Sequence, residues 1–95
     1  MNDLEKFREV IDAVDDEIVS LIARRLNICR DVAAYKKRTG VSMMQPGRVD
    51  QVKERCAERG SNQGLRPEFV KALYAVIIQE ACVLEDEIIE NRIEP

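Results

Sequence analysis

The chain has 95 residues, 35% of them charged, and a formal net charge of −3. That length predicts one domain spanning residues 1–95, with a core modest enough that oligomerisation is a natural source of stability. The acidic balance argues against a nucleic-acid or anionic-membrane surface, and the absence of histidine removes imidazole acid–base catalysis, histidine metal sites and Ser-His-Asp machinery.

Cys29, Cys56 and Cys82 are far apart and odd in number, so free thiols in a reducing compartment are expected. Cys29 and Cys82 sit among apolar neighbours and read as small buried hydrophobes. No apolar run approaches a membrane span, and the N-terminus lacks the basic-then-apolar pattern of a signal peptide. The setting expected is cytoplasmic, with no membrane partner, no metal and no cofactor.

Breaks in the chain fall at Gly40, Pro46 and Gly47, and again at Gly60, Gly64 and Pro67. The stretches between them carry helical rather than alternating patterns, which predicts an all-α fold of three helices. Helix 1 is expected from Asp3 to Arg38, capped by Asn2 or Asp3 and stopped by Gly40. It would be about 54 Å long, whereas a compact globule of this size has a radius of gyration near ~12 Å. The apolar stripe runs to its far end, so a second copy of the chain is the simplest cover, giving an intertwined homodimer. Helix 2, from Arg48 to Arg59, carries only Val49, Val52 and Cys56 as apolar anchors and is expected to lie as a lid over the long helices. Helix 3, from Pro67 to Asn91, is apolar around most of its circumference between Phe69 and Leu84, which suggests burial against several helices.

Several charges occupy positions where apolar residues belong. On helix 1, Phe7, Ile11, Val14, Ile18, Ile22, Cys29 and Val32 lie within about 40° of one direction, and Arg25 and Lys36 fall inside that face. The two cations are 11 residues apart, so they point the same way at about 16 Å spacing. A cation on a core face is costly unless something anionic meets it. Either protein carboxylates such as Asp15 or Glu80 pair with them, or they wait for an anionic ligand. Arg8 lies too far along the same helix to share that ligand unless a symmetry-related copy brings it back. Arg48 follows the Pro46-Gly47 turn and can swing over a pocket. Glu85 lies among Tyr74, Ile78, Ala81, Ile88 and Ile89, where a carboxylate must be either paired with a cation or protonated.

The order and spacing of several blocks resemble the small all-α (type II) chorismate mutases over nearly the whole chain. Arg8 to Asp15 is similar to that family's R-x-x-I-D-x-x-D opening, Leu21 to Arg25 to its L-L-x-x-R, and Val32 to Lys36 to its V-x-x-x-K. Pro46-Gly47-Arg48 resembles its proline-preceded arginine, and Leu65 to Ile78 its G-L-x-P-x-F-V and L-x-x-I-I segment. The resemblance implies a Claisen rearrangement of a small dicarboxylate. Arg25, Lys36 and Arg48 would be the ligand cations of one subunit, Arg8 the arginine supplied by the partner subunit, and Glu85 the group facing the ether oxygen. A glutamate facing the ether oxygen helps only when protonated, and this donor role is the one favoured; the alternative is an ionised Glu85 that balances an ammonium group at C4 of the substrate.

Three positions depart from the pattern. Val49 stands where most of these mutases have a glutamate for the ring hydroxyl, Gln45 where an acidic residue is common, and Ala81 where a small polar residue is frequent. The substituent at ring C4 is therefore expected to be met differently. Isochorismate pyruvate-lyases also tend to carry valine after the arginine. The stretch Met43-Met44-Gln45-Pro46, with Glu80 to Glu87, looks most similar to mutases acting on 4-amino-4-deoxychorismate. The expected function is a rearrangement of chorismate or its 4-amino analogue. The alternatives are an isochorismate lyase, or a non-catalytic helical dimer that regulates a partner enzyme.

Overall fold

A computed structural model of the chain describes residues 2–41, 45 and 47–94. The Pro46 turn residue and the Met43-Met44 stretch lie outside the described residues. Among those described there are three helices and no strand: α1 (Asp3–Thr39), α2 (Arg48–Ser61) and α3 (Pro67–Ile89).

Helix α1 starts where Asn2 accepts the Glu5 amide on its side-chain oxygen at 2.8 Å, so of the two candidate caps Asn2 is the one used. It ends where Gly40 adopts φ 75°, a left-handed conformation that costs glycine little, and donates its amide to the Lys36 carbonyl at 2.8 Å. Helix α2 runs two residues beyond its expected end. Its buried stripe is Val52, Ala57 and Gly60. Gly60 is needed because a Cβ there would stand 2.8 Å from Cγ2 of Val70, so its bare backbone sets how closely α2 approaches α3. Helix α3 opens on Pro67 and ends two residues earlier than expected, with Asn91 at φ 63° just beyond its last turn. Lys37 of α1 hydrogen-bonds the Asn91 side chain, joining the ends of the two long helices.

The tightest packing lies at one end of the molecule, where Ala33 of α1 meets Leu84 and Ile88 of α3, with Leu26 and Ile89 around them. Helix α3 packs against both other helices, while α2 packs on α3 rather than across both long helices, which corrects the expected lid.

The remainder of α1 projects past this core. The molecule measures 56 × 28 × 14 Å, with a radius of gyration of 16.8 Å. A compact chain of this length has about 12 Å. Phe7 is 65% exposed, and Ile11, Val14 and Ile18 continue its uncovered apolar stripe, with Val10 and Val19 exposed on either side of it. On α3, Phe69, Leu73 and Val76 are also exposed, so the apolar circumference of that helix is only partly buried within one chain. No helix is long and apolar enough to cross a membrane among the described residues.

Candidate functional site

A cavity of about 110 Å³ opens where the three helices meet. Helix α1 contributes Arg25 and, one turn later, Cys29; α2 contributes Arg48, Val49 and Val52; α3 contributes Ile78, Ala81, Cys82 and Glu85. Five residues singled out in the sequence therefore share this cavity: Arg25, Arg48, Val49, Ala81 and Glu85. Lys36 reaches it through Glu85. Gln45 sits one turn ahead of Arg48, accepting the Arg48 amide on its carbonyl at 3.1 Å, and is not part of the cavity wall. Arg8 is remote, about 25 Å from Arg25 along the helix axis.

The cavity residues that sequence reasoning had not assigned to a site are Cys29, Val52, Ile78 and Cys82. Helical spacing could have found them. Cys29 and Val52 each lie four residues after a flagged arginine, and Ile78 and Cys82 lie seven and three residues before Glu85.

The two cations on the α1 face are held in different ways. Lys36 donates from Nζ to Oε1 of Glu85 at 3.3 Å, with side chains only 14% and 10% exposed. Its carboxylate partner is thus Glu85 rather than Asp15 or Glu80. Arg25 has no carboxylate within ion-pair distance among the described residues. Its Nη1 lies 4.0 Å from the Cys29 sulfur, and its guanidinium carbon lies 5.9 Å from the centre of the Tyr74 ring. Arg48 is exposed and donates to the Gln51 side chain at 2.6 Å. Among the described residues the cavity wall thus holds two cations, Arg25 and Arg48, and one carboxylate that Lys36 already meets, an arrangement that suits an anionic ligand.

A larger and more polar groove, about 560 Å³, lies on the other side of α2. There Lys71 is already paired with Glu54 at 2.9 Å, and Glu58 adds further negative charge. No uncompensated cationic cluster converges in it, so the smaller cavity is the better site for an anion.

Comparison with known proteins gives this arrangement its context. The sequence pattern described as "Chorismate mutase type II" matches residues 7–86. The chain belongs to the type II chorismate mutase family. A 4-amino-4-deoxychorismate mutase of Streptomyces venezuelae is 44% identical over 85 residues, covering 90% of this chain and 82% of that protein. A 4-amino-4-deoxychorismate mutase of Streptomyces pristinaespiralis is 40% identical, covering 88% of this chain and 65% of that longer protein. A chorismate mutase of Methanocaldococcus jannaschii is 26% identical over 92 residues. No solved structure matches the chain at comparable stringency.

The protein is an isomerase that carries out a chorismate-mutase-type rearrangement. Such a reaction is unimolecular and needs no attacking side chain. The thiols beside the cavity fit that chemistry, because neither is activated as a nucleophile. Burial pushes the Cys29 thiol up despite the opposing pull of Arg25. Burial also pushes Cys82 up, reinforced by Glu85 and Asp86.

These shifts give stability a sign with pH. A thiol whose folded pKa exceeds its unfolded one stays protonated in the folded protein after the unfolded chain has begun to ionise. The resulting stability is complete below the unfolded thiol pKa and is lost as pH rises toward the folded one. The melting temperature is therefore expected to fall from about pH 8.5 upward. Replacing Cys29 and Cys82 together by alanine should flatten that decline. A decline equally steep in the double variant would assign it to other groups.

Proposed function

We propose that this mutase rearranges 4-amino-4-deoxychorismate, and that it does so as a cytoplasmic homodimer in which residues 1–95 form one domain. The observation that carries the reading is the uncompensated Arg25, set with Arg48 across a cavity from the Lys36–Glu85 pair. Support for the amino substrate comes from the names of the two Streptomyces relatives, and from Val49, which removes the glutamate that would otherwise meet a ring hydroxyl.

In this reading Arg25 and Arg48 bind the substrate carboxylates, joined by Arg8 of the partner subunit. The cavity of one chain is small beside the roughly 300–1,000 Å³ of ordinary ligand pockets, which fits a site completed by a second copy. The groups hold the compact chair-like conformer, in which the ether C–O bond breaks as the new C–C bond forms. Electron density builds on the ether oxygen, and Lys36 is the donor for it. Val49 and Ala81, both in the cavity wall, shape the C4 side of the site, and Gln45 meets the substrate from outside the single-chain cavity wall, at the entrance to α2.

In this reading Glu85 acts otherwise than as the protonated donor expected from the sequence. Its contact with Lys36 Nζ at 3.3 Å supports a role as the ammonium's carboxylate partner. It orients the Lys36 ammonium and offsets the C4 ammonium of an amino substrate. Glu85→Gln is therefore expected to raise KM for 4-amino-4-deoxychorismate by about tenfold or more, in line with one lost charge-assisted contact, and to raise it less for chorismate. If the substitution instead flattened the pH–rate profile and kept activity at high pH on both substrates, the protonated-donor role would be right.

The experiment for the function as a whole is a parallel assay of the purified protein on chorismate, isochorismate and the 4-amino analogue. The expected result is the highest kcat/KM on the amino compound. Preference for chorismate would overturn the proposed specificity, and release of pyruvate from isochorismate would move the protein to the lyase class.

A further inference from the structure

The manner in which Arg25 is held points to a residue outside the cavity wall. An arginine side chain carries about 2 kcal/mol of rotamer entropy, so a guanidinium aimed at a ligand must be fixed by something. A carboxylate would fix it but would also compete with the ligand's own carboxylate. Around Arg25 the described residues supply none within ion-pair distance. They supply instead the Tyr74 ring, 5.9 Å from the guanidinium carbon, and the neutral Cys29 thiol.

We propose that Tyr74 is a positioning residue for Arg25: its ring face fixes the guanidinium at the cavity while leaving the positive charge available. The attraction of a cation to a ring quadrupole has this property, because it orients without neutralising. Tyr74 is itself anchored. It is half-buried on α3, with its phenol beside the Cys56 thiol of α2. One side chain therefore links α2 and α3 to the α1 arginine. Arg25 and Tyr74 also border a second, apolar cavity of about 210 Å³ with Ile18, Leu73 and Ile77, so the ring approaches Arg25 from a side other than the ligand cavity. Lys36 is secured by the opposite means, a carboxylate that takes up its charge.

The inference rests on Arg25 binding a ligand carboxylate, and the test separates the two ideas. Arg25→Ala examines the binding role alone. Should it leave the rearrangement unchanged, the proposed site itself is wrong. With that role intact, Tyr74→Leu is expected to raise KM roughly three- to thirtyfold, the range of one cation–π contact, with a smaller change in kcat. Tyr74→Phe keeps the ring and should recover the KM lost in Tyr74→Leu, which a role confined to the phenol hydroxyl would not allow. In a cycle with Arg25→Lys, the two effects should be strongly non-additive. The Arg25 Nε–H order parameter should fall in Tyr74→Leu and return in Tyr74→Phe. Tyr74→Met takes the place of Tyr74→Leu if the latter does not fold. A ring-free variant that folds, keeps wild-type KM and leaves Arg25 equally ordered overturns the proposal, as does simple additivity with Arg25→Lys.

Discussion

Arg25→Ala and Lys36→Ala are each expected to abolish most of the rearrangement, but only Lys36→Ala should lower the melting temperature. Removing a donor aimed at developing charge, or a charged contact to a ligand carboxylate, commonly costs about 2.7–4 kcal/mol, or roughly 10²- to 10³-fold in kcat/KM. The stability effects differ because the two cations have different neighbours. Lys36 is paired with Glu85, whose side chain is only 10% exposed, so its loss strands a carboxylate among apolar groups. Stranding such a group costs about 1–3 kcal/mol, enough to move the melting point of a domain this size by several degrees. Arg25 is only half-buried and leaves no carboxylate behind among the described residues, so its removal strands no charge. Lys36→Ala combined with Glu85→Gln should recover the melting temperature but not the activity. Differential scanning calorimetry beside steady-state kinetics decides the matter. If Arg25→Ala proved as destabilising as Lys36→Ala while turnover survived in both, the cations would be structural and the regulatory-dimer reading would gain.

The second large effect concerns Arg8. Arg8→Ala alone and Arg25→Ala alone are each expected to be nearly inactive, yet a mixture of the two should regain activity after subunit exchange. Random exchange makes half the dimers mixed, and each mixed dimer has one site with both arginines intact. About a quarter of wild-type activity should therefore return. The physical basis is the geometry of α1. Arg8 lies about 25 Å from Arg25 on the same helix, so it can complete an Arg25 site only from another chain. The exposed apolar face from Phe7 to Val19 is the surface that such a chain would cover. Sedimentation should show a dimer at all practical concentrations. A folded monomer at micromolar concentration, or no recovered activity in a mixture whose subunits demonstrably exchange, would refute the shared site.

Much of the architecture was legible because it depends on short-range rules. Asn2, Gly40 and Pro67 mark helix boundaries through backbone chemistry that acts within a turn, and the apolar spacing on α1 fixes which face seeks cover. The misplaced charges Arg25, Lys36 and Glu85 were visible for the same reason, since helical periodicity alone assigns them to apolar faces. Periodicity also predicted a 16 Å separation between Arg25 and Lys36, but it could not say what each one meets. That depended on how α3 packs. The register set near Ala33, Leu84 and Ile88 brings Glu85 to Lys36, not Asp15 or Glu80, and the same register sets Tyr74 beneath Arg25. The position of α2 was likewise decided by a tertiary contact, the close approach of Gly60 to Val70, which seats it on α3 and carries Arg48, Val49 and Val52 to the cavity. A sequence specifies faces through local geometry, whereas the partner of each face follows from long-range packing, in which small residues such as Ala33 and Gly60 determine how closely the helices approach.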